Sequence, residues 1–383
     1  MKNLLFFSLL VFLAFSKVTE SKGTTPHIEI LGRYFYDQNE KIVYLDWPGV
    51  RINVDIPEGT QKIEIEVTDT YPSTVVKSKP AQATVDSHSS YFQMFLDGNP
   101  LGVLKIPMQG GLMRILVSDR VDPTKSHLLS MYKRTEAKSL VGIKQFLFNE
   151  GAKLAFNPSM QPDYNKYARR LEFLGDSVCV GYGNNCTSVS EPFTTLTEDN
   201  YMSYSSIIPR MFNAIYFDQS ISGIGVVRNY GDPDPSSKRP YGFYQDSSLK
   251  LNVSDTTKWD YSKFLPHAVI YHIGGNDYGG SGQYPTETVF VQHFLELIES
   301  RRKLYGDNIP IFISSGPLDG PWDFQKEVVS KAGDNVYWID WTTIYEDGGG
   351  MGCQYHPDIK SHKMMSQILA KLIQNVLGWD YTS

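Results

Sequence analysis

An all-β sandwich of jelly-roll type leading into a three-layer α/β/α domain, flavodoxin-like in outline, is the fold this sequence predicts. Three observations predict it. From His27 to about Phe148 apolar and polar residues alternate with a period of two. After Asn157 strand-like apolar runs alternate with helical ones. In that second half, polar segments follow the apolar runs at or soon after their carboxyl ends, where open parallel sheets bind ligands.

In the first half Ile63, Ile65 and Val67 alternate with Lys62, Glu64 and Glu66, and Phe92, Met94 and Leu96 repeat the pattern. Asp97-Gly98 supplies a hairpin turn, after which Val103–Ile106, Ile115–Val117 and Leu128–Tyr132 continue the series. Many short strands with turns between them, and no helical stripe, predict a sandwich over residues 24–157. Pro158, Gln161, Pro162 and Asn165 form a polar connector. The second domain is expected over 168–383, with parallel strands at Leu171–Leu174, Ala214–Phe217, Ala268–Ile273, Pro310–Ser314 and Val336–Trp341. Apolar residues at helical spacing predict helices over Thr286–Leu304 and Lys360–Leu377.

The chain has 383 residues, 41% of them hydrophobic and 20% charged, an ordinary globular balance. A net charge of −6 with no Lys/Arg cluster argues against a nucleic-acid or anionic-membrane partner. Lys2 followed by the apolar run Leu4–Phe15 and small residues up to Ser21 has the layout of a secretory signal peptide, so residues 1–21 are expected to be removed. No later segment has the length and apolarity to span a bilayer, and the mature chain is expected to be soluble and extracellular. Export permits one disulfide among Cys179, Cys186 and Cys353, with one thiol left over. The sequence does not assign the pair, and small buried thiols are an equal alternative. Asn252 and Asn185 head acceptor patterns for N-glycosylation, and Asn252 is the preferred site because Asn185 lies close to Ser177. No metal-ligand spacing or phosphate loop appears, so neither a metal nor another cofactor is expected.

Four segments carry the chemistry. Leu174-Gly175-Asp176-Ser177, running on to Asn184, ends the first predicted strand of the second half. Ser220-Ile221-Ser222-Gly223, Gly274-Gly275-Asn276-Asp277 and Tyr355-His356-Pro357 follow later strands in that order. Order and setting resemble the SGNH (GDSL-type) hydrolases, whose four blocks contribute Ser, Gly, Asn and His. A small sandwich ahead of such a domain resembles carbohydrate esterase family 2, the acetyl esterases of plant-type polysaccharides. That resemblance is carried by Gly32-Arg33-Tyr34-Phe35, Trp47-Pro48-Gly49, Leu96-Asp97-Gly98, Tyr132–Ala137, Gly181-Tyr182-Gly183, Gly225–Tyr230 and Gly352-Cys353.

Acyl transfer needs a nucleophile, a base and donors for the developing oxyanion. Ser177 is the candidate nucleophile and His356 the candidate base. The resemblance implies an oxyanion hole made by the N–H groups of Ser177 and Gly223 and the Asn276 amide, with Gly225 as second choice for the glycine. Asp176 and Asp277 read as carboxylates that brace loops. His267, His272 and His293 read as structural. SGNH enzymes usually place an Asp two or three residues before the histidine, but those positions hold Gln354 and Cys353. Glu346, Asp347 and Asp358 read as solvated loop charges. The expectation is therefore a Ser–His dyad oriented by a backbone carbonyl, or by the side-chain oxygen of Gln354. Tyr278 and Trp322, expected in loops on the active face, could each stack on a pyranose ring, or pack beneath a loop. The activity implied is removal of O-acetyl groups from a polysaccharide or oligosaccharide, with the primary 6-hydroxyl of a hexose as the implied site. The alternatives are an esterase or lipase for another acyl ester, and a carbohydrate-binding protein with little catalysis.

Overall fold

The computed structural model describes residues 26–70, 88–149, 151–254 and 257–381. The expected signal peptide, residues 1–21, lies outside them. Eleven strands among the described residues of the first half are β1 (Ile28–Leu31), β2 (Phe35–Asp37), β3 (Ile42–Leu45), β4 (Arg51–Ile56), β5 (Ile63–Thr70), β6 (Ser90–Leu96), β7 (Asn99–Ile106), β8 (Met113–Ser118), β9 (His127–Lys133), β10 (Leu140–Phe148) and β11 (Ala152–Ala155). They form two antiparallel sheets, ordered β1-β4-β9-β6-β7 and β2-β3-β10-β5-β8, with β11 added to β10.

The period-two alternation sets which residues face inward. Ile52, Val54 and Ile56 of β4, Leu129 and Met131 of β9 and Phe92 and Met94 of β6 meet Ile63, Ile65 and Val67 of β5 and Val141, Ile143 and Phe146 of β10 in one core. Each fully buried aliphatic side chain contributes about 1.5–3 kcal/mol. The β6–β7 hairpin turns on Asp97 and Gly98, both at positive φ (51° and 78°), as a two-residue turn matched to strand twist requires.

The second half forms a five-stranded parallel sheet from β12 (Arg170–Gly175), β13 (Ile215–Ser220), β14 (Ala268–His272), β15 (Ile311–Ser315) and β16 (Val336–Asp340). Its order, β13-β12-β14-β15-β16, is the 2-1-3-4-5 order of flavodoxin-type sheets. Four longer helices cover it: α2 (Tyr204–Met211), α3 (Glu287–Tyr305), α4 (Trp322–Ala332) and α5 (Ile359–Leu377). On one face Ile208 of α2 and Met365, Leu369 and Ile373 of α5 pack on Leu171, Phe173, Ile270 and Phe312. On the other, Phe290 and Phe294 of α3 and Val328 of α4 pack on Val269, Tyr271, Ile311 and Ile313. Strands buried on both faces read as unbroken apolar runs, which is why all five were visible in the sequence.

Helices α2 and α4 were not expected from the sequence. Pro209 lies inside α2 and masks its helical pattern. Helix α4 starts after Pro321 without a side-chain cap. Trp322 is accordingly the first residue of a helix and not, as expected, part of a loop. Among the described residues no helix is long and apolar enough to cross a membrane.

A buried ion cluster joins the two halves. Arg33, from the antiparallel half, places Nη2 3.1 Å from Glu172 Oε1 on β12, with both side chains almost wholly buried. Arg301 of α3 lies 3.6 Å from the other carboxylate oxygen, and Tyr305 donates to Glu172 at 3.1 Å. Removing the anion would leave two buried guanidiniums facing each other, a loss of about 3–5 kcal/mol. Glu172→Ala is therefore expected to lower unfolding stability by that order, read as a shift of the urea midpoint. A midpoint unchanged from the parent would contradict a central role for this cluster.

Candidate active site

Gly175, at the end of β12, has no room for a side chain: a Cβ there would lie 2.5 Å from Cys179 Cβ. That close approach lets the chain turn directly into the short helix α1 (Ser177–Val180). Asp176 caps α1 by accepting from the Val178 N–H at 3.0 Å. Ser177 thus sits where β12 meets β14, the point at which the strand order reverses and α/β sheets bind their ligands.

The Ser177 hydroxyl lies 2.8 Å from Nε2 of His356, 179 residues away in sequence. The other ring nitrogen, Nδ1, faces the backbone carbonyl of Gln354 at 3.2 Å. A carbonyl only accepts, so Nδ1 carries the hydrogen and Nε2 presents its lone pair to the serine hydroxyl. Burial pushes the imidazole down to about 4. The ring is therefore neutral and able to accept a proton at neutral pH.

The expected alternative, orientation of His356 by the side chain of Gln354, is not what the structure contains. That side-chain oxygen accepts from the Tyr182 hydroxyl at 3.1 Å. The main-chain carbonyl takes the position because Gln354 and Tyr355 both adopt left-handed backbone, with φ of 51° and 66°. Two consecutive non-glycine residues in that region cost on the order of 1–3 kcal/mol each and require strong surrounding contacts. Asp358 accepts from the Ser361 N–H at the start of α5, and Asp347 accepts from the Thr343 hydroxyl. Neither replaces the Gln354 carbonyl beside His356.

The contacts that hold the His356 segment come from the loop after α1. A disulfide joins Cys186 to Cys353, leaving Cys179 as a buried thiol. Cys353 N–H donates to the Gly183 carbonyl at 3.1 Å, Gln354 N–H to Val189 at 3.0 Å, and Ile359 N–H to Asn184 at 3.2 Å. A Cβ on Gly352 would meet the Gly183 oxygen at 2.1 Å, so glycine is required where the two segments touch. Tyr182 stacks on Phe193 with 3.8 Å between ring centroids, and leans on His356 at 4.6 Å.

Of the remaining expected residues, Gly223, Asn276 and Trp322 line the same cleft of about 670 Å³. Gly223 lines it with φ 78°. The N–H of Gly225, the second-choice glycine, is taken by the Asn229 side chain at 3.1 Å. Asn276 lines the cleft, its amide nitrogen 2.8 Å from the Ile224 carbonyl and 3.5 Å from Asp176 Oδ2. The second contact is too long to hold its N–H firmly. Asp277 braces the neighbouring loop by accepting from the N–H groups of Val226, Val227 and Arg228 at 2.8, 2.7 and 2.9 Å.

His272 also lines the cleft, buried, with Nδ1 2.8 Å from the Ser314 hydroxyl. Burial lowers it to about 3. Trp322 lines the cleft as expected. Tyr278 does not: its ring packs among Tyr284, Phe290 and Phe324, with centroids 5.6–5.9 Å apart. Aromatic neighbours supplied by α3 and α4 draw it inward. Two tyrosines that the sequence motifs contained but did not mark as stacking candidates, Tyr230 and Tyr355, line the cleft with 63% and 62% of their surface exposed. Tyr355 adjoins His356, which was the available signal. Asn185 and Asn252 are both exposed. Among the described residues no cluster of three or more His, Cys, Asp or Glu is placed to hold a metal ion.

Fold and cleft together define an α/β protein resembling the GDSL/SGNH class. Comparison with known proteins narrows this further. No family model matches the chain. CelE, a cellulase/esterase of Acetivibrio thermocellus, is 32% identical over 359 aligned positions, covering 87% of this chain. The chain spans only 40% of the length of that relative. An acetylxylan esterase / glucomannan deacetylase of Cellvibrio japonicus is 25% identical, covering 79% of this chain and 88% of its own length. A family two carbohydrate esterase from Clostridium thermocellum, solved in complex with cellohexaose, superposes with a TM-score of 0.74 at 26% identity. It covers 92% of this chain and 99% of its own. The resemblance read from the sequence is therefore shown: over most of its length this chain is similar to a family two carbohydrate esterase and to an acetylxylan esterase / glucomannan deacetylase.

The low proton affinity of His356 is directly measurable. In an NMR pH titration its ring resonances should move with a midpoint near 4, while an exposed histidine titrates near 6.5. A midpoint near 6.5 would contradict the desolvated environment described here.

Proposed function

We propose that this chain is a secreted carbohydrate O-acetyl esterase working through a serine acyl-enzyme, with Ser177 and His356 as a dyad. The observation that carries the reading is the 2.8 Å contact between Ser177 Oγ and the unprotonated nitrogen of His356 inside the cleft. Ser177 attacks the acetyl carbonyl carbon as its proton passes to His356 Nε2. The carbonyl oxygen becomes an oxyanion facing the N–H groups of Ser177 and Gly223 and the Asn276 amide. The Ser177 N–H is the first of a helix and has no intrahelical partner. Collapse of this intermediate expels the sugar alcohol, which takes the proton from His356. Water, activated by the same imidazole, then attacks the acetyl-serine and releases acetate.

The similarity to an acetylxylan esterase / glucomannan deacetylase supports acetyl as the acyl group and a polysaccharide as its carrier. Trp322, Tyr230 and Tyr355 are the cleft aromatics with faces suited to a pyranose ring. In this reading the parallel-sheet half is an SGNH hydrolase domain, the antiparallel half is a jelly-roll sandwich, the segment 1–21 directs export, and Asn252 accepts an N-glycan.

Acetate release from acetylated xylan, acetylated glucomannan and an aryl acetate tests this. Ser177→Ala should abolish release on all three, and release that survives in this variant would overturn the serine mechanism. Asn276→Ala should lower kcat by about 10²–10³, the usual loss for one oxyanion donor. Trp322→Ala should raise KM for the polysaccharides more than for the aryl acetate, since only the polymer presents pyranose rings beyond the reacting ester. Neutral His356 is the base, so kcat/KM should hold from pH 7 to 5 and fall only as pH drops through about 4.

A further inference from the structure

The antiparallel half sends one carboxylate into the cleft region. Glu136 lies in the β9–β10 connection and is 3% exposed. Its Oε2 accepts the backbone N–H of Ser222 at 2.8 Å. Ser222 immediately precedes Gly223, and both line the cleft. The other oxygen of Glu136 is paired with the Lys138 ammonium at 2.8 Å. Its backbone N–H donates to the Glu198 carboxyl from the loop after α1. Arg134, two residues earlier, is locked to the same loop through Asp199 at 3.1 Å. The connection is thus fixed at both ends before it reaches Ser222.

We infer that Glu136 is a positioning residue for ester hydrolysis, fixing the Ile221–Ser222 peptide at the head of the turn that presents the Gly223 N–H to the reacting oxygen. The inference rests on the dyad reading above and adds a residue from the other half of the chain to it. The turn closes from the Ile224 N–H to the Ile221 carbonyl at 3.3 Å, with Ser222 and Gly223 at its centre. Gly223 has no Cβ and a φ of 78°, so the glycine itself does little to hold its place in that turn. Anchoring the Ser222 N–H fixes the Ile221–Ser222 peptide from which the turn starts, and so narrows the positions open to the Gly223 N–H before substrate arrives, which is the condition for strong electrostatic stabilisation.

The charge distribution suits the role. Burial opposes ionisation of Glu136, but the Lys138 ammonium and the Ser222 N–H hold its carboxyl below the ordinary range. Glu198 is pushed up to about 8 by burial and by the Glu136 charge, and so holds the proton of the pair. Glu136 is consequently the anion, and an anionic acceptor makes the stronger hydrogen bond to a backbone N–H.

Two substitutions separate reach from charge. Glu136→Gln keeps an oxygen at the same distance and loses the charge. Glu136→Asp keeps the charge and withdraws the oxygen by one methylene. If the carboxylate works by holding Ser222, the glutamine variant retains kcat on an aryl acetate within about threefold. The aspartate variant loses about 10- to 100-fold in kcat with KM within twofold, a part of the 10²–10³ that a missing donor costs. The reverse order, or an unchanged aspartate variant, overturns the inference. Hydrogen exchange at the Ser222 amide gives a second reading that needs no catalysis. It should accelerate at least about tenfold in the aspartate variant and not in the glutamine variant, and equal protection in both overturns the positioning role. An inactive parent whose Ser222 exchange still follows this pattern would sink the esterase reading and leave the brace standing.

Discussion

Everything around the cleft serves one hydrogen bond, that between the Ser177 hydroxyl and Nε2 of His356. Neither partner can find the other through local sequence. Ser177 is delivered by the end of β12, whose position is fixed by parallel neighbours on both sides. His356 arrives on an irregular loop before α5, with no strand to hold it. The burden of alignment therefore falls on the loop after α1, which grips the histidine segment with a disulfide, three backbone hydrogen bonds and two glycines at the line of contact.

The absent acid is a chemical consequence of the same loop. A carboxylate beside Nδ1 would raise the proton affinity of the imidazole and stabilise its charged form. The Gln354 carbonyl supplies direction without a full charge, and desolvation then dominates. The result is a base that stays neutral well into acid but gains less from accepting a proton. Left-handed backbone at Gln354 and Tyr355 is what turns the carbonyl toward the ring, so strain at two residues takes the place of a side chain.

How far the sequence could be read follows from the range of the interactions involved. The parallel strands, the hairpin at Asp97-Gly98 and helices α3 and α5 were legible because burial imposes a local period. Helix α2 was hidden by Pro209, and α4 by the lack of a cap. Ser177, Gly223, Asn276 and His356 were legible because each follows a strand whose end faces the same cleft. The pairing of Cys186 with Cys353 was not, since it depends on a contact between two loops. Tyr278 stayed between two readings for the same reason: a tyrosine beside the site looks equally able to face outward until α3 and α4 close over it. Tyr230 and Tyr355 were not marked as stacking candidates because exposed aromatics have no periodicity to betray them. Glu136 lay in a segment that stood out in the sequence, but its partner, a main-chain N–H, leaves no mark on a sequence.

The Cys186–Cys353 bridge has a consequence for how the chain responds to a backbone cut. It closes a covalent ring spanning 167 residues, and that ring contains α2, β13, β14, α3, β15, α4 and β16. A single backbone cut inside the ring, for instance in the exposed turn at Pro233–Ser236, leaves both pieces tied together through a bridge that starts three residues before His356 and in the loop that follows Ser177. Nicking such a molecule changes its electrophoretic pattern under reducing conditions before it separates the two groups on which the cleft depends.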